Sequence, residues 1–123
     1  MRESRYWGLH MTSAMVLLVL LGMHMMIMHL DGTLALIDPA WGKPLAWGAV
    51  LKRAGSAFFT ASYVLMLAAA LFHGFYGLRT MIIELTGSAA VRRATSIAVW
   101  TAGLALFGLG AYAIVAMHLR VGA

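Results

Sequence analysis

Chemistry within an apolar setting needs ionisable or metal-binding side chains, and this chain offers few of them at depth. The densest group is the run LFHGFYGLRTMIIEL at 71–85, which carries His73, Arg79 and Glu84. An ionised side chain at the centre of a membrane helix costs about 2.5–3.5 kcal/mol on insertion scales, so a helix that keeps one usually has a functional reason. On a helix, Gly77, Thr80 and Glu84 follow His73 at +4, +7 and +11, within about 40° of one face. Ala70, Ala69, Met66 and Ser62 continue the stripe backwards. An imidazole, a gap, a hydroxyl and a carboxylate thus line one side, a wall suited to a flat cofactor with a polar site beyond it. Arg79 sits six residues past His73, about 120° off that face. Its guanidinium suits an anion or a carbonyl, or a snorkelling contact with lipid phosphate.

His24 and His29 form a second group in HMMIMH. Five residues apart, they point about 140° away from each other and cannot share one ligand plane. Met23, Met25, Met26 and Met28 surround them. A thioether can bind iron, but flexible packing against an irregular surface is its commoner role. His10 and His118 lie near segment ends, where headgroup-level solvation is expected.

The elements that must position these residues follow from composition. Of 123 residues, 63% are hydrophobic and 11% charged, well outside the soluble globular range. Three segments approach or exceed the roughly 20 apolar residues that cross a bilayer. The expected fold is an all-α membrane protein, a single domain over 1–123 with transmembrane helices at about 12–30, 56–85 and 94–119. No period-two alternation suggests a barrel. The apolar run at 13–30 lacks a small-x-small cleavage site and reads as a retained helix. Between the first two helices, Pro39, Trp41, Pro44 and Trp47 suggest a surface-lying segment, with 47–53 expected as a short interfacial helix. Gly103, Gly108 and Gly110 in the third helix suit close helix packing.

The net charge of +5 sits at segment ends and forms no stripe, which fits membrane flanks rather than nucleic acid. With no cysteine, the chain carries no disulfide, no c-type haem attachment and none of the usual iron–sulfur ligands. It also has no flavin-binding glycine motif.

His-Gly-x-x-Gly-Leu-Arg followed by an acidic residue, with Trp47, Lys52-Arg53 and Phe58 upstream, resembles the small cytochrome b anchor of succinate dehydrogenases and fumarate reductases. The resemblance implies that His73 is an axial ligand of haem b, that Gly77 leaves room for the porphyrin, and that Arg79 meets a propionate or a quinone. It implies that Glu84 lies on the quinone side. Many members end the motif in Asp-Tyr; here Glu84-Leu85 supplies no phenol. One haem shared with a partner chain is the leading expectation; with two, His29 would hold the outer one and His24 is the alternative. The implied partners are a second membrane anchor, an iron–sulfur subunit and a flavoprotein subunit, together with lipid and quinone. The implied setting is a prokaryotic cytoplasmic membrane with the N-terminus cytoplasmic. The chain itself would be a non-catalytic subunit with no dicarboxylate chemistry. Two other readings stay open: a haem-free structural anchor, and a His-lined proton or metal transporter subunit. Haem absorption separates them.

Overall fold

The structure is a computed structural model that describes residues 2–39 and 42–122, with the backbone alone for Arg2 and Glu3. Trp41, expected at the membrane surface, lies outside the described residues. Helix α1 spans Arg2–His29, α2 Asp31–Leu34, α3 Trp47–Ala54, α4 Ala57–Glu84 and α5 Ala89–Gly122. Among the described residues there is no strand. Helices α1, α4 and α5 are each long and apolar enough to cross a membrane.

The first helix starts about ten residues earlier than the hydropathy suggests. No proline interrupts residues 2–12, so the polar foot simply extends the helix into the interfacial zone. The third likewise begins at Ala89 rather than Ala94, because Ser88 Oγ accepts the backbone N–H of Val91 (3.4 Å) in its first turn. The ends of α4 and the position of α3 agree with the expectation to within a residue.

The helices form a row with α4 in the centre, packed on α1 along one side and α5 along the other. Each is antiparallel to its neighbour in the row: His10 meets His73 and His24 meets Tyr63 between α1 and α4, and Gly103 meets Phe75 and Gly110 meets Leu67 between α5 and α4. The α4/α5 contact is close because α5 turns glycines towards α4. A Cβ on Gly110 would lie 2.6 Å from Leu67 Cδ2, and one on Gly103 would lie 3.5 Å from Phe75. Without a hydrophobic drive between membrane helices, such close approach supplies the van der Waals contact. Gly108, expected to share this role, has nothing near it.

At the far end from Glu84, α3 is fastened to the bundle. The buried Arg53 donates from Nη2 to the carbonyl of Pro44. His118 Nδ1 lies 2.8 Å from the carbonyl of Ala54, so His118 serves as a clasp between α5 and α3. Gly55 meets Val121 at the same place.

Candidate functional site

His73 projects from α4 towards α1, and the residues it meets are His10 and Ser13. Its Nδ1 lies 3.3 Å from Ser13 Oγ and 3.3 Å from the carbonyl oxygen of His10. Ser13 is buried, and its hydroxyl donates to that same carbonyl at 2.7 Å. Since Ser13's proton is already committed, both groups facing Nδ1 are acceptors. Nδ1 therefore carries the ring proton, and Nε2 keeps its lone pair. No hydrogen bond to Nε2 is formed by the described residues. An imidazole with one nitrogen anchored to main chain and the other bare is the form in which histidine binds a metal.

The ring of His10 lies flat on His73, with centroids 4.1 Å apart and planes within 5°. The α1/α4 register sets His24 against Tyr63, edge-on at 5.7 Å, well away from His73. Tyr63 and His73 are ten residues apart, about 15 Å along the helix. His10 is thus a wall of the His73 site rather than a solvated terminal residue. A sequence signal for it existed only in the helical spacing of His10 and Ser13, which share a face of α1 at i and i+3.

Gly77 was expected to leave porphyrin space. A Cβ there would meet His10 Cε1 at 3.5 Å, so His10 fills the surface above Gly77. Gly74 is different: it is exposed, and nothing lies within 4 Å of a Cβ built on it. The α4 surface at Gly74, next to His73 in the chain, is therefore open. Among the described residues the buried Nδ1 of His24 finds no hydrogen-bond partner, and His29 is exposed in the last turn of α1. Among the described residues, no group of three or more His, Cys, Asp or Glu is close enough to hold a metal ion.

Arg79 turns to the opposite neighbour. Its Nε donates to Ser96 Oγ on α5 at 2.9 Å, and the Ser96 hydroxyl in turn donates a hydrogen bond to the carbonyl of Arg92. Towards the Glu84 end a recess of about 640 Å³ opens among α1, α4 and α5, with Arg79, Glu84, Arg92 and Thr80 in its wall. Tyr6 and Tyr76 stack there with centroids 6.2 Å apart, so phenols absent from position 85 are present in the recess from elsewhere. Glu84 is exposed at its mouth. Among the described residues no salt bridge joins Arg79 or Arg92 to a carboxylate.

Three apolar helices, each long enough to cross a membrane, packed in a row with a histidine turned inward, mark an integral membrane protein. The chain matches the family described as the succinate dehydrogenase/fumarate reductase transmembrane subunit over residues 3–111, and it belongs to that family. Its fellow members work as membrane subunits of a multi-subunit complex, so association with further subunits follows from membership. No curated protein and no solved structure matches the chain significantly.

Proposed function

We propose that this chain is a haem b-binding membrane anchor of a succinate:quinone oxidoreductase, with His73 as its axial ligand. The carrying observation is the bond pattern at His73, where two acceptors hold Nδ1–H and leave Nε2 bare. Gly74 keeps the adjoining surface open, and a partner anchor would complete the ligand set from that side. Haem, when bound, supplies a one-electron centre between the iron–sulfur clusters of a partner subunit and membrane quinone. The chain's own residues do the holding: the Ser13 hydroxyl and the His10 carbonyl orient the ring, and the flat His10 ring limits its rotation. Glu84, at the mouth of the recess, is placed to exchange a proton with water as quinone is reduced or oxidised. Dicarboxylate chemistry belongs to the flavoprotein subunit.

The resemblance assigns the Glu84 end to the cytoplasmic side of a prokaryotic cytoplasmic membrane. The balance of basic residues, five at that end and four at the other, adds little to it. A haem-free structural anchor is the second reading, favoured by one observation: His10 already covers the face of His73 above Gly77. A two-haem variant would draw on His24, whose Nδ1 is orphaned, or on His29.

A dithionite-reduced minus oxidised spectrum with haem quantitation, on the purified complex, decides among these. His73→Ala is expected to lose one haem per complex. Unchanged haem content in that variant would return His73 to a packing role, and no haem in the wild type would leave the structural anchor standing.

A further inference from the structure

A second cavity adjoins the recess. Between α4 and α5 runs an apolar slot of about 170 Å³, walled by residues that include Ala68, Phe72, Phe75, Val99, Gly103 and Phe107. Tyr76, Arg79 and Trp100 line both the slot and the recess, so the two are continuous. The combined shape is amphipathic: an apolar cleft within the bundle leads to a chamber holding two guanidinium groups and one carboxylate.

We propose that this continuous cavity is a phospholipid site, with the phosphodiester on Arg79 and Arg92 and one acyl chain in the α4/α5 slot. The charge pattern selects this occupant. Arg79 lies five residues inside the end of α4, about 7.5 Å below it, and among the described residues its guanidinium is engaged through Nε, by a neutral hydroxyl. A guanidinium presents five donors in a fixed fork. A quinone carbonyl could accept one of them but leaves the positive charge uncompensated; a phosphodiester oxygen pair accepts two and neutralises it. Glu84 in the same chamber brings the formal charge of the three ionised groups to +1, which matches a singly charged phosphodiester better than a doubly charged phosphate monoester. Tyr6, Tyr76 and Trp100 around the chamber are residues that favour headgroup depth. The proposal is independent of whether His73 binds haem.

The test uses the intact complex, wild type and variant, washed through excess mild detergent and extracted for quantitative lipid mass spectrometry. The wild type is expected to retain phospholipid, Arg79→Gln to lose one molecule per complex, and Arg79→Lys to keep it. Ala68→Phe, which fills the slot and leaves both arginines in place, is expected to lose the same molecule. A second measurement needs no variant: a phospholipid with a mid-chain photoactivatable group, in vesicles of phosphatidylethanolamine and phosphatidylglycerol, should label residues 99–107 above the other lipid-facing helices. Equal lipid content in wild type, Arg79→Gln and Ala68→Phe would overturn the site. So would labelling spread evenly along the bundle, or recovery of quinone in place of phospholipid as the molecule lost with Arg79→Gln.

Discussion

A hydroxyl in hydrocarbon must find an acceptor, and here the helix itself provides it. Thr12, Ser62, Thr80 and Ser96 each donate to the carbonyl four residues back, which satisfies the group without a partner helix. Ser13 departs slightly, reaching the carbonyl of His10 three residues back, and that detail matters for His73. Once Ser13's proton is used there, its oxygen is left as an acceptor for Nδ1. Ser13→Ala removes one of two acceptors and leaves the His10 carbonyl. Loss of such a supporting partner commonly weakens metal affinity by about 10–100-fold, and the lower figure is expected here. Haem transfer to a haem-scavenging protein would measure it, with Ser13→Thr restoring retention. The histidine was legible in the sequence because an imidazole beside two glycines in an apolar run is conspicuous. Its partners were not: His10 and Ser13 lie 63 and 60 positions away, and nothing local encodes the register between helices joined by a long surface segment.

Helix length and helix contact obey different rules. Hydropathy finds the part of a helix that sits in hydrocarbon, so it located all three spans but stopped short at their polar ends. Residues 2–11 and 89–93 are helical because no residue breaks the backbone pattern, although neither stretch is apolar. Contact between α4 and α5 rests on absence of side chain. Gly110 admits Leu67 so closely that any Cβ would overlap it. Gly110→Leu is expected to push the helices apart and cost about 1–3 kcal/mol, the usual penalty for overpacking. Lower thermal stability of the assembled complex, with Gly108→Leu nearly silent, would check it. Both glycines look alike in sequence, and their angular position relative to α4 alone separates them. The surface helix at 47–53 was legible from tryptophan and basic residues, while its clasp by His118 was not.

Taken whole, the chain has little interior. Among the described residues the buried apolar side chains are those of Pro44, Ala69 and Val99, and Ser13 and Arg53 are buried polar ones. Large apolar side chains on all three spans face outwards, as a lipid solvent permits, and so does the bare helix surface at Gly74 beside His73. A group held against that surface would be exposed unless another chain covers it. Expression of this chain alone is therefore expected to give little haem-loaded, monodisperse monomer, and co-expression with the second anchor to raise haem retention severalfold. Size-exclusion chromatography monitored at the Soret band would read both. The row arrangement has a further consequence for biosynthesis. Principal contacts run from α1 to α4 and from α4 to α5, always between spans consecutive in order of emergence. The stack of His10 on His73 can thus form as soon as α4 has entered the membrane, while α5 is still being translated. The histidine pocket is assembled by the first two-thirds of the polypeptide, and the last span adds its arginine-lined neighbour afterwards.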